Sequence, residues 1–144
     1  MDHVKKAKEL YEQGFYCSQA VFAAFADELG LTEKQALQAG SCFGGGMCKG
    51  EVCGACTGAL MVLGMKYGRY KADDWDSQTK ANDMAANFLE QFKKKNRSYI
   101  CNELLGCDIA APEGKAYARE HKLFAEFCPE MVASAVEILE QLGK

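Results

Sequence analysis

The sequence predicts an all-α fold: a single-domain helical bundle of about six or seven helices over residues 1–144, with a Gly/Cys-rich loop. Three observations predict it. Pro112 and Pro129 are the only prolines, β-branched residues are few, and apolar residues recur three and four positions apart, the spacing of a helix face. No stretch alternates apolar and polar residues as a half-buried strand does.

A first helix is expected over about residues 2–13, with Val4, Ala7, Leu10 and Tyr11 on one face and Gly14 as its left-handed stop. A second starts near Cys17, carries Ala20, Val21, Ala24, Phe25 and Leu29 along its stripe, and ends at Gly30. Thr32 then opens a short third helix, because Thr32 and Gln35 have capping-box spacing. Residues 41–50 lose the helical period and hold Gly44, Gly45, Gly46 and Gly50, so they read as a loop. The fourth helix, about residues 53–67, is apolar nearly all round, which predicts neighbours on several sides; Gly54, Ala55 and Gly58 would permit close approach. A fifth runs over about residues 76–95 with Ala81, Met84, Ala85, Phe88, Leu89 and Phe92 facing inward and Trp75 stapling its start. Ser98 is positioned to cap a short helix through Cys101, Leu104 and Leu105 to Gly106. Pro112 starts the next helix, and Pro129 the last, which buries Val132, Ala135, Val136 and Leu139.

Composition limits the function. The net charge is -3, and the one basic run, Lys93 to Lys95, falls at a helix end, where exposed carbonyls attract cations. Without a basic, aromatic surface, a nucleic-acid partner is not expected. The longest apolar run, residues 54–65, is far shorter than the roughly 20 residues of a spanning helix, so no membrane insertion is expected. The first residues alternate charged and apolar side chains as an amphipathic helix does, unlike a secretory signal, which places the chain in the cytoplasm. There thiols stay reduced, and eight cysteines in 144 residues point to metal binding or thiol redox chemistry rather than a disulfide scaffold.

Cys17, Cys53, Cys101 and Cys128 each fall at or within the first turns of a predicted helix. A helix start offers unpaired backbone donors and partial positive charge, which favour a thiolate and can hydrogen-bond an anionic sulfur cluster. Converging helix starts could therefore build one site. Cys48, Cys53 and Cys56 also have the C-x4-C-x2-C spacing of plant-type [2Fe-2S] proteins, with Cys101 as the distant fourth ligand. Cys53 and Cys56 alone form a C-x-x-C pair suited to dithiol exchange, though without the βαβ context of a thioredoxin. The plainer reading, cysteine as a small buried hydrophobe, suits Cys42 and Cys56 best. His3 and His121 read as surface helix residues, and Tyr11, Tyr16, Tyr67, Tyr70, Phe88 and Phe92 as core packing. Asp73, Asp74 and Asp76 read as an acidic helix start. No nucleophile elbow, Walker loop or dinucleotide fingerprint is present.

These residues resemble a known family over nearly the full chain, the redox-active C_GCAxxG_C_C proteins. The resemblance rests on Tyr16-Cys17-Ser18-Gln19-Ala20-Val21, Phe43-Gly44-Gly45-Gly46-Met47, Cys53-Gly54-Ala55-Cys56-Thr57-Gly58-Ala59 with Leu63-Gly64, Cys101-Asn102-Glu103-Leu104-Leu105-Gly106-Cys107-Asp108, and Cys128-Pro129. It implies a helical domain with a cysteine-based redox or metal centre, whose signature cysteines are Cys17, Cys53, Cys101 or Cys107, and Cys128. Cys42, Cys48 and Cys56 depart from the usual pattern and could enlarge the site, supply a second one, or exchange as ligands.

The leading expectation is an electron-transfer or redox-sensing module in which Cys17, Cys53, Cys101 and Cys128 hold an iron-sulfur cluster of the [2Fe-2S] type, with Cys107 as substitute ligand. The alternatives are a thiol-disulfide oxidoreductase, with Cys53 attacking and Cys56 or another signature cysteine resolving, and a structural zinc site of four thiolates. Whether the protein is an enzyme, which redox partner protein it meets and whether a homodimer completes the site stay open at this level.

Overall fold

The computed structural model describes residues 2–143; Met1 and Lys144 lie outside it. The chain is all-α, with eight α-helices in the described residues. They are α1 (His3–Glu12), α2 (Cys17–Ala24), α3 (Glu33–Gly40), α4 (Gly54–Tyr67), α5 (Trp75–Asn96), α6 (Cys101–Leu105), α7 (Pro112–Glu120) and α8 (Cys128–Leu142).

Local chemistry sets most of the boundaries. Asp2 caps α1 by accepting from the Lys5 amide at 3.0 Å. The capping box at Thr32 forms as the spacing predicts, with both of its bonds to Gln35 at 3.0 Å. Asp74 caps α5 by accepting from the Ser77 amide at 3.1 Å. Ser98 acts one step earlier than expected: its hydroxyl accepts from the Ile100 amide and donates to Glu103, and Ile100 is the cap residue of α6.

At the centre α2 packs on α1, α3 and α4, while α4 also meets α5 and α8. This matches the apolar circumference of α4. Gly58 permits the approach: a Cβ there would strike the Ser18 backbone and the Val21 side chain. The buried Ser18 hydroxyl donates to the Gly40 carbonyl at 2.7 Å, tying α2 to the end of α3. Phe25, Phe88, Phe92, Leu10, Val62 and Val136 are among the largest side chains removed from solvent.

Several expectations need correction. The second helix ends at Ala24 rather than running to Leu29; the chain tightens into a 3-10 turn, Asp27–Leu29, before Gly30 takes a left-handed φ of 75°. This arrangement accompanies a stack of the Phe25 ring on the His3 imidazole at 4.1 Å and leaves Glu28 bonded to His3 and, at 3.2 Å, to Lys66. His3 is therefore not a surface residue; its side chain is only 15% exposed. Tyr70 is 92% exposed and packs in no core. Trp75 is the first residue of α5 and lies open, with the Arg69 guanidinium 4.2 Å over its ring. No helix among the described residues is long and apolar enough to cross a membrane.

Candidate thiol site

Four of the cysteines stand where helices begin. Cys17, Cys101 and Cys128 are the first residues of α2, α6 and α8, and Cys53 is the cap residue of α4. Each start has its own cause. The Tyr16 amide donates to the Gln19 side chain at 2.9 Å, closing the turn at Cys17, whereas α8 continues from a wide helical turn, Leu123–Phe127, with the Cys128 amide donating to the Leu123 carbonyl and Pro129 next in the chain. Cys53 and Cys101 are fixed together. An antiparallel bridge joins Val52 to Ile100; on either side of it the Cys53 amide donates to the Tyr99 carbonyl at 2.8 Å and the Cys101 amide to the Glu51 carbonyl. This two-strand clasp spans the whole α4–α5 hairpin.

The fourth wall is the Gly loop. Gly45, Gly46, Met47 and Cys48 take φ values of 66°, 62°, 58° and 63°, one continuous left-handed turn. Glycines adopt this conformation freely, whereas Met47 and Cys48 each do so at a cost of roughly 1–2 kcal/mol. The Glu51 amide closes the turn by donating to the Gly46 carbonyl at 3.0 Å.

Around these elements lies a cavity of about 510 Å³, lined by Cys17, Cys53, Cys101 and Cys128 together with Cys48. Tyr11, Gly44, Gly45, Gly54, Lys115 and Arg119 also line it, and the rest of the wall is largely apolar. Thus four helix starts distant in sequence meet on one cavity. Cys107 is half-buried and belongs to the smaller apolar cluster of Cys101, Leu105, Ile109 and Ala118 without lining the cavity. Cys56 is fully buried beneath Cys53 and does not reach the cavity, in keeping with its reading as a small core residue. Cys42, given the same reading, is instead exposed, and so is Cys48.

The thiols are electrostatically linked. Cys17 is coupled to the thiol of Cys53, and Cys53 in turn to that of Cys56. The interaction with Cys53, followed by burial, raises the Cys17 pKa well above its ordinary 9.0, although the Gly45 and Ser18 amides pull it down. Cys53 is lowered by the Cys17 thiol and the Ala55 amide, but its interaction with Cys56 and its burial prevail, and the net direction is up. Burial, then the neighbouring Cys17, Cys128 and Cys107, pushes Cys101 up to about 12. Burial and Cys17 push Cys128 to about 12 as well, against the opposing Tyr11 hydroxyl. Helix starts were expected to favour thiolates here. Neighbouring thiols and burial outweigh the amides at Cys17 and Cys53, burial leads at Cys101 and Cys128, and all four shifts are upward.

Three residues of the cavity carried no signal as site residues in the sequence. Tyr11 donates its hydroxyl to the Phe124 carbonyl at 2.6 Å and faces the Cys128 sulfur. On the apolar face of α1 its ring looks like any core aromatic. Lys115 and Arg119 lie one turn apart on α7, indistinguishable by pattern from a solvated helix face. Among the described residues, no three His, Cys, Asp or Glu side chains are grouped closely enough to hold one metal ion. Cys17 is the thiol electrostatically linked to each of Cys53, Cys101 and Cys128.

A profile of the family described as "Putative redox-active protein (C_GCAxxG_C_C)" matches residues 15–142 of the chain. No curated protein and no solved structure matches it.

Proposed function

The chain belongs to the redox-active C_GCAxxG_C_C family, and from that premise we propose that it is a redox module in which Cys17, Cys53, Cys101 and Cys128 hold a [2Fe-2S] cluster and exchange electrons with a partner protein. The observation that carries this reading is the meeting of four helix-start thiols on one cavity. A two-iron centre takes two thiolates at each iron. It therefore asks for neighbouring pairs of thiols, and Cys17 beside Cys53 is one such pair on the cavity wall.

Bound there, an iron-sulfur cluster supplies reversible one-electron chemistry. The protein's part follows from its own groups. The four thiols must lose their protons to become ligands, and the burial that resists this in the free protein also limits solvent access to the sulfurs. The Gly45 and Ser18 amides point at the Cys17 sulfur and the Ala55 amide at that of Cys53. These donors stabilise thiolate charge, and with it an added electron; the Tyr11 hydroxyl lies near Cys128 with its single proton given to the Phe124 carbonyl.

The test is the visible spectrum of protein purified without oxygen, with iron, zinc and acid-labile sulfide measured on the same sample. Charge-transfer bands with iron and sulfide in equal amounts are expected, and Cys53→Ala should lose them. An unchanged spectrum in that variant would overturn the ligand assignment.

One observation favours a second reading. Cys17 and Cys53 both line the cavity and are electrostatically linked, and oxidation of this pair to a disulfide would release two protons and two electrons to a disulfide-bearing partner. A colourless, metal-free protein with a reversible two-electron titration that disappears in Cys17→Ala would select it.

A further inference from the structure

The cavity is larger than a cluster of this kind requires. At about 510 Å³ it falls within the range of about 300–1,000 Å³ typical of sites that enclose whole small molecules. Four inorganic atoms, each needing about 15 Å³ of such space, would take only a small part of it. The remainder is bounded by Leu104, Leu105, Ile109, Phe124, Phe127 and Met131. Gly14, Tyr16, Cys48, Lys115, Arg119 and Ala125, the exposed members of the lining, mark its mouth.

The charge at that mouth is of one sign. No Asp or Glu among the described residues lines the cavity. Lys115 and Arg119 sit four residues apart, hence on the same face of α7. Neither takes part in any of the ion pairs among the described residues, where other lysines such as Lys6, Lys66 and Lys95 are paired. Two unneutralised cations over an apolar chamber form a receptor for one oxyanion group carried on an apolar body, with Arg119 able to take two of its oxygens and Lys115 acting as a point charge. The exposed Tyr16 ring, 54% accessible, adds an aromatic surface at the entrance.

We propose that the chamber beside the thiols binds a small organic anion, its oxyanion held by Lys115 and Arg119 and its apolar body lodged against Leu104, Ile109 and Phe124. The inference rests on the reading of the thiols as the redox centre only in making this ligand that centre's substrate or effector; binding itself depends on α7 and the apolar wall.

Isothermal titration calorimetry on the full chain as purified tests it, with 1-anilino-8-naphthalenesulfonate as anionic probe and N-phenyl-1-naphthylamine, which has the same rings without the sulfonate, as neutral control. The sulfonate should bind at least about tenfold more tightly than the amine. Lys115→Gln with Arg119→Gln should remove that advantage and leave the amine unaffected. The proposal is overturned if the wild-type protein does not bind the sulfonate, if the double variant binds it unchanged, or if both probes lose affinity together. Cys53→Ala separates the two readings. Charge-dependent binding retained in that variant supports the anion site without the centre, and charge-dependent binding in a wild-type protein lacking iron and sulfide removes the cluster reading alone.

Discussion

Gly54 lies directly beneath the sulfur of Cys17: a Cβ at Gly54 would enter the space that sulfur fills, with the Phe43 carbonyl and the Gly44 Cα closing in at 3.2 Å on other sides. The first residue of α4 is thus a seat for the Cys17 thiol carried by α2. Gly54→Ala should displace Cys17 and deplete bound iron and sulfide at least several-fold, measured per chain after anaerobic purification. Gly64 is the matched control, since it lies inside α4 with open space around its would-be Cβ. Gly64→Ala should retain the centre and raise stability by about 0.5–1 kcal/mol, read from denaturant unfolding.

Cys53 and Cys56 divide by position. Cys53→Ala removes a thiol from the cavity wall and should abolish the visible bands. Cys56→Ala acts within the core, where losing one buried sulfur costs about 1 kcal/mol by analogy with a methylene. Its spectrum should match that of the wild-type protein. Loss of the bands in Cys56→Ala would move the ligand set toward the local C-x4-C-x2-C spacing.

The raised thiol pKa values give the metal-free protein a definite pH dependence. Cys101 and Cys128 ionise near 9.0 when unfolded and at about 12 when folded. Between those values the unfolded chain has released protons that the native chain retains, so the slope of unfolding free energy against pH is negative. The stabilisation is complete below about pH 9 and is lost as pH rises toward 12. Urea midpoints measured across that window should fall, and should fall less in Cys101→Ala with Cys128→Ala. Ligation reverses the sign: metal uptake releases protons and should grow more favourable as pH rises.

Tyr11→Phe deletes the hydroxyl bonded to the Phe124 carbonyl and facing Cys128. Stability should drop by about 1 kcal/mol, the usual net contribution of such a bond. The proton of that hydroxyl is given to Phe124, so a fall in the reduction potential of the loaded centre would show that Tyr11 turns to the Cys128 sulfur on ligation. A potential unchanged in voltammetry, alongside the stability loss, would confine Tyr11 to a structural role.

Much of this arrangement is legible in the sequence because it is local. Cap residues, glycine stops and prolines place the starts of α2, α4, α6 and α8 close to Cys17, Cys53, Cys101 and Cys128, and the apolar circumference of α4 marks it as central. What escapes is set by contacts between distant segments. Nothing near Val52 indicates that it pairs with Ile100, and nothing distinguishes Tyr11 from the core aromatics Phe88 and Phe92. The exposure of Tyr70, Trp75 and Cys42 escapes for the same reason, since period alone cannot tell which face a neighbour covers. The left-handed turn at residues 45–48 is half legible: Gly45 and Gly46 announce it, but Met47 and Cys48 follow it against their own preference.

The clasp between Val52 and Ile100 also fixes when the thiol set can exist. Its two halves are separated by all of α4 and α5, and Cys128 follows a further two helices downstream. Chains leave the ribosome at about 5–20 residues per second, N-terminal segments first. For the several seconds between the emergence of Cys17 and that of Cys128, a growing chain carries isolated sulfurs with no shared cavity. A centre on all four thiols would thereby assemble late, once α8 packs against α1, α2, α4 and α5.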